Sequence, residues 1–343
     1  MTFLLIILSF VLICMIFIIW CHYRFPETYW NWDEIDVKET KFPKKFMWGT
    51  ATAAHQVEGN CNNNNWFEWE NSKDDLGNPR IKDNQRSGKA CDHWNRYEED
   101  IKMILELGVS HYRFSIEWSK VEPKKGYFDR KVINHYSNVI DKLLENNITP
   151  VITLHHFTNP TWFDNLGGFE REQNISIFVQ FCEKIFDEYS SRVNLWCTIN
   201  EPEVYSMMGY FVGVFPPGQK NPNQAVNVLK NLLVAHTAVY TKLKSLKNGE
   251  KSKIGIVKNV MQFDPYRRWN LLDWIVCILT NNIYNGIALS YLKTGKINIR
   301  IPFFININYS NPLAAKKTDF FGLNYYSHSH LKFKANLNEF FDI

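Results

Sequence analysis

Carboxyl, amide, imidazole and guanidinium side chains recur in this sequence at one kind of place, the end of a short apolar run. The clearest case is L-W-C-T-I-N-E-P, Leu195 to Pro202, where five residues of strand character stop at Asn200 and Glu201. Pro202 has no N–H to donate and blocks further pairing. An acid held at a strand end points into a site, and a carboxyl group so placed is suited to proton transfer. Similar arrangements follow the other runs. Phe46 to Ala51 leads to Gln56 and Glu58, and Tyr112 to Ile116 contains Arg113. Val151 to Leu154 ends at His155 and His156, and Phe320 to Leu323 at Asn324, Tyr325 and Tyr326.

The elements that must position these groups follow from the same runs. Counting Leu195–Ile199 and Ile254–Val257, there are six near-continuously apolar segments in order, the pattern of parallel strands covered on both faces. Amphipathic helical patterns lie between them. One is expected to start near Asp92, which can cap it, to place Trp94, Tyr97, Ile101, Ile104 and Leu105 on one stripe, and to end at Gly108. A second runs from about Ile175 to Tyr189 with Phe178, Phe181 and Ile185 inward. Such alternation makes right-handed βαβ units, which form an open doubly wound sheet or a barrel. Polar residues at the strand ends are what an enzyme barrel requires, because its site is built from strand C-termini. Asn62 to Asn65 reads as a solvated loop without function.

Composition bounds the function. The 343 residues are 45% hydrophobic and 15% aromatic, enough for a large core, and 12 Trp allow either dense packing or aromatic faces lining a sugar cleft. Lys and Arg total 39 against 35 Asp and Glu, a net charge of +4 spread without runs, which gives no footing for nucleic-acid binding. Seven Cys, without close-paired spacing, suggest neither a disulfide framework nor a zinc site. Asn147, Asn174 and Asn308 each open a glycosylation sequon, which in an Asn-rich chain does not fix the compartment.

Five blocks carry a resemblance: F-M-W-G-T-A-T-A-A-H-Q-V-E-G, Y-R-F-S-I-E-W, T-L-H-H-F-T-N-P-T-W-F, T-I-N-E-P and F-F-G-L-N-Y-Y. In this order they resemble glycoside hydrolase family 1, retaining β-glycosidases of β-glucosidase type on an α/β, (β/α)8 TIM barrel. The resemblance implies Glu201 as acid/base and Asn200 as the group that binds the sugar 2-hydroxyl. It implies Gln56 and His156 as binders of other hydroxyls, and Arg113 and Tyr326 as supports that keep the nucleophile ionised. It implies a small saccharide or β-glycoside as ligand, and no metal or cofactor. The set is coherent, since a neutral sugar offers only hydrogen bonds, while an oxocarbenium-like transition state needs a proton donor above and an anion below. Plainer roles stand beside these. Arg113 is open to being an ion-paired core arginine, Glu117 and Glu203 structural or rim residues, and Asn324 a brace for Asn200. His155 and His156 with His328 and His330 raise a metal site, but no suitably spaced acid joins them.

The family's nucleophile sits on strand seven in a T-E-N-G-like motif, and neither it nor the later E-W pair occurs here. The one Glu after Tyr326, Glu339, lies in A-N-L-N-E-F-F without the motif. The expectation is a C-terminally truncated chain with about six of the eight βα units, inactive alone and with two unpaired sheet edges. A non-catalytic pseudo-glycosidase binding a glycan or protein partner at a membrane is the alternative, and a decayed gene product a third.

From Phe3 to Trp20 there is no charge, and 18 residues nearly cross a hydrocarbon core of about 30 Å. A transmembrane anchor, a cleaved signal and a core helix compete. The absence of a basic residue before the run and of an A-x-A-like exit favours the anchor. The expected layout is an anchor at 1–21, a tether at 22–41 and the glycosidase barrel at 42–343. Arg24, Lys38, Lys41, Lys44 and Lys45 follow the span, which by the positive-inside rule favours a cytoplasmic domain.

Overall fold

The computed structural model describes residues 2–27, 31–36, 38–301, 305–336 and 339–342. They fall into two compact units. One comprises Met47–Asn259 and Ala288–Asn324, the other the described parts of Met1–Phe46, Val260–Ile287 and Tyr325–Ile343.

The larger unit is built on a six-stranded parallel sheet. Its strands, in spatial and chain order alike, are Gly49–Ala51, His111–Ser115, Thr149–His155, Leu195–Asn200, Lys253–Asn259 and Phe320–Asn324. All six expected runs therefore became neighbouring strands of one sheet, with the register carried by pairs such as Arg113↔Val151, Thr153↔Cys197 and Val257↔Gly322. The ladder between strands four and five slips between Cys197 and Asn200, an irregularity that re-aims the end of strand four. The first strand begins later than expected. Phe46, Met47 and Trp48 are exposed, and pairing starts at Gly49, where a Cβ would stand 2.6 Å from the carbonyl oxygen of His111.

Helices cover this sheet and bury its apolar face. Helix Ile175–Tyr189 spans the expected residues, and Phe178, Phe181 and Ile185 are buried as its stripe requires. Trp118 stacks on Phe181 at 4.7 Å between centroids and lies 4.7 Å from Phe163 and 5.6 Å from Phe178. Helix His93–Glu106 starts after Asp92 and stops just before a left-handed Gly108, as expected, but two details differ. Asp92 is left-handed with φ 56° and gives no side-chain cap, because its carboxylate accepts from Asn95 instead. Leu105 is exposed, while His93 is buried and bonded to Asp100 at 2.5 Å. The helix Pro222–Ser245, capped by Asn221, and the antiparallel hairpin Lys296–Ile301 with Ile305–Ser310 complete the unit. Strands four and five are buried almost throughout, whereas Leu323 on strand six is 59% exposed. Among the described residues, the outer edges of strands one and six have no strand partner.

The smaller unit holds helix Thr2–Arg24, largely exposed and apolar enough to cross a membrane. Strand His328–Asn336 runs parallel to Gln262–Pro265 and antiparallel to Glu339–Asp342, and helix Leu271–Asn281 packs on it through Val276, Cys277 and Leu331.

Candidate active site

The apolar run of strand four delivers Asn200 and Glu201 to the end of the sheet, where they are 1% and 5% exposed. Glu201 is left-handed, φ 48° and ψ 63°, a conformation that costs a non-glycine residue about 1 kcal/mol or more and persists only when its surroundings impose it. Its N–H donates to the Val257 carbonyl at 2.7 Å, and its carbonyl accepts from the N–H of Tyr205 at 3.1 Å within helix Pro202–Met207. The side chain is held from strand six, where Asn324 Nδ2 donates to Glu201 Oε1 at 2.6 Å. The same amide lies 3.4 Å from Asn200 Oδ1, which also accepts from Arg113 on strand two at 2.6 Å. Strands two, four and six thus meet in one chain of side chains. Asn324 touches the acid itself, more than a brace for Asn200.

Arg113 makes no ion pair among the described residues, so the ion-paired core reading fails; its partner is a neutral amide, and its buried Nε has no hydrogen bond. A buried cationic donor left over in this way is suited to an anion. Strand three contributes the histidines. His155 is buried and bonded through Nε2 to Asn159 at 2.9 Å, and burial presses its imidazole down to about 4. His156 is pressed down to about 3, chiefly by burial and then by the Arg113 charge, and its buried Nδ1 has no partner. At neutral pH both rings are uncharged, the state that hydrogen-bonds a hydroxyl.

An arc of rings runs along these strand ends. His55 and Trp66 stand 6.4 Å apart, Trp66 and Phe215 4.8 Å, Phe215 and Phe157 6.0 Å, and Phe157 and His156 5.2 Å. The sequence reading missed it. Its one signal was the position of Phe157 just after strand three.

Gln56 is exposed on the short helix Ala54–Val57 that follows strand one. Tyr326 is exposed and falls in the other unit. Glu58 is committed elsewhere, paired with Lys120 at 2.9 Å and accepting from Tyr136 at 2.7 Å. Glu117 is structural, accepting from Asn64, Ser119 and Thr158. Glu203 is no rim residue; it is fully buried against Lys258. The Asn62–Asn65 loop is not simply solvated. Asn64 caps helix Asn65–Glu70, Asn65 accepts from the Asn159 N–H at 2.9 Å, and both are buried because they tie strand one's loop to strand three's. The Glu339 side chain lies outside the described residues. His328 pairs with Asp264 at 2.7 Å, and no cluster among the described residues is placed to hold a metal.

Residues 38–340 match the model of glycosyl hydrolase family 1. The chain belongs to this family. As a family 1 protein it is by class a glycosidase that hydrolyses O-glycosyl compounds. Its relatives include β-glucosidase A of Thermotoga maritima, 33% identical over 85% of this chain and 67% of the relative. A β-glycosidase from Pyrococcus horikoshii is 39% identical with a TM-score of 0.76, covering 88% of this chain and 66% of the other. The Thermotoga maritima β-glucosidase in complex with glucoimidazole is 30% identical with a TM-score of 0.77, over 86% and 68%. The chain thus spans about two thirds of the length of these relatives. Family 1 membership makes the parallel sheet part of a (β/α)8 barrel architecture.

Proposed function

We propose that this chain carries the acid/base half of a retaining β-glycosidase acting on terminal β-linked glycosides of the glucoside type. The observation that carries the reading is Glu201, a buried carboxyl at the end of strand four, bonded by Asn324 beside an Asn200 bonded to Arg113. In retaining hydrolysis one carboxyl protonates the departing oxygen and a second, about 5 Å away, attacks the anomeric carbon. Glu201 takes the first role and, after the glycosyl-enzyme forms, deprotonates the incoming water. Asn200 binds the 2-hydroxyl, and Gln56 and His156 bind hydroxyls across the ring. Arg113, with its unpaired Nε, holds the second carboxylate as an anion. The arc of Trp66, Phe157 and Phe215 offers flat apolar faces to the sugar or its aglycone. A glucoimidazole complex of a relative supports a saccharide ligand. No metal or cofactor takes part in the proposed chemistry.

No T-E-N-G-like motif lies within the 343 residues. We therefore propose that these residues alone bind a glycoside without cleaving it, and that turnover needs a carboxylate they do not supply. That same absence favours one second reading, a non-catalytic pseudo-glycosidase that holds a glycan or protein. Helix Thr2–Arg24 anchors either form to a membrane, with the basic residues after it favouring a cytoplasmic domain.

Calorimetric titration with a thio-linked aryl β-glucoside tests the site. Asn200→Ala and His156→Ala should each weaken binding roughly 3- to 10-fold, the loss of one hydrogen bond to an uncharged ligand. Binding that both substitutions leave unchanged would remove these residues from the sugar site.

A further inference from the structure

Two residues after Glu201 begins a buried ion pair that the proposed chemistry does not use. Lys258, on strand five, is 1% exposed, and Glu203, on helix Pro202–Met207, is 0% exposed. Lys258 Nζ stands 3.2 Å from Glu203 Oε1 and donates to the Asn259 carbonyl at 2.7 Å. Beyond that ion contact neither Glu203 oxygen has a hydrogen bond. Two ionisable side chains are therefore buried against one another, an arrangement that seldom stabilises a fold more than an apolar pair of like size. A role other than stability is the better account of their presence.

Their chain positions supply one. Lys258 directly follows Val257, whose carbonyl holds the Glu201 N–H, and Glu203 lies two residues after Glu201. The ion pair thus ties together the two segments that flank the left-handed residue. We propose that Lys258 and Glu203 are positioning residues for Glu201, clamping its strained backbone. Burial pushes Glu203 up to about 7 against the pull of Lys258, and pushes Lys258 down against the pull of Glu203. Among the other titratable groups on the adjoining elements, Tyr205 bonds Asn159 at 2.8 Å, His236 bonds Thr198 at 2.7 Å, and the Arg113 guanidinium bonds Asn200 at 2.6 Å. What this means for catalysis rests on Glu201 being the proton donor proposed above, but its test does not.

Amide hydrogen exchange is read by NMR on the full 343-residue chain, with Lys258→Met, Glu203→Gln and the charge-free double variant each compared with the parent. The Glu201 amide should exchange at least about tenfold faster in each while strand three amides keep their protection. Unchanged exchange at Glu201, or an equal rise across strand three, overturns the clamp. Where a single variant does not fold, the charge-free double variant carries the test. Failure of the clamp leaves Glu201's own role to the hydrolysis measurement, which reads it separately.

Discussion

Asp164 gives a sharp test of how the floor beneath His156 is held together. Its Oδ1 accepts from Asn159 Nδ2 at 2.7 Å, and the same Asn159 bonds His155 at 2.9 Å and Tyr205 at 2.8 Å. Burial pushes the Asp164 carboxyl up from 3.8 to about 7. Between those two values the folded chain holds a proton that the unfolded chain has released. Stability is therefore highest below about 4 and falls as pH rises through about 7. A three-unit shift corresponds to roughly 4 kcal/mol, and because Asp164 is only partly covered we take about half, roughly 2 kcal/mol. Asp164→Asn keeps an oxygen acceptor for Asn159 and removes the ionisation. At about pH 3.5, where Asp164 is protonated in the folded and the unfolded chain alike, the variant should lie within about 0.5 kcal/mol of the parent. At pH 8 it should be more stable by about 2 kcal/mol. Urea unfolding followed by Trp fluorescence at both pH values measures this, and taking the difference cancels the like-signed slope from Glu203 and the opposite one from His155 and His156. A variant that tracks the parent at both pH values, or loses stability at pH 8, refutes the reasoning.

Other consequences follow from the same contacts. Phe178→Ala removes a ring that lies against Trp118, Phe169, Phe181 and His155, and should lower stability by about 3–5 kcal/mol. A urea-unfolding loss below about 1 kcal/mol would show that this layer is not packed as described. In cells the chain should stay in the membrane pellet through alkaline carbonate washing, and a form lacking residues 1–24 should leave it. Release of the intact chain, or a mature N-terminus near Tyr23, would replace the anchor with a peripheral or processed form.

The six sheet strands were legible because parallel strands covered on both faces must be apolar almost continuously, and Leu195–Ile199 or Ile254–Val257 fit little else. The place of Glu201 at the sheet's end was legible for a related reason, since an apolar run cut off by a proline leaves the residue between them at the strand's end. Boundaries were harder. Phe46 to Trp48 are as apolar as a strand but stay exposed, because pairing begins only where Gly49 lets strand two approach. Asp92 has the right side chain for a cap, yet its left-handed backbone turns it to Asn95. Asn64 and Asn65 looked solvated because composition does not reveal that two loops meet. The Lys258–Glu203 pair joins a strand to a helix 55 positions away, a contact that exists only once strands four and five lie side by side. The aromatic arc was hidden likewise, as its rings come from three separate strand ends.

Hydrolysis of an aryl β-glucoside with a poor leaving group tests the central claim, that these residues hold the acid/base but not the nucleophile. Three proteins are compared: the 343-residue chain, the chain continued by the part of Thermotoga maritima β-glucosidase A that it does not cover, and that continued form with Glu201→Gln. The account predicts no turnover from the first, turnover from the second, and a loss of roughly 100-fold or more in the third. Turnover by the 343-residue chain that disappears in its own Glu201→Gln variant would contradict it, as would a continued form whose activity ignores Glu201.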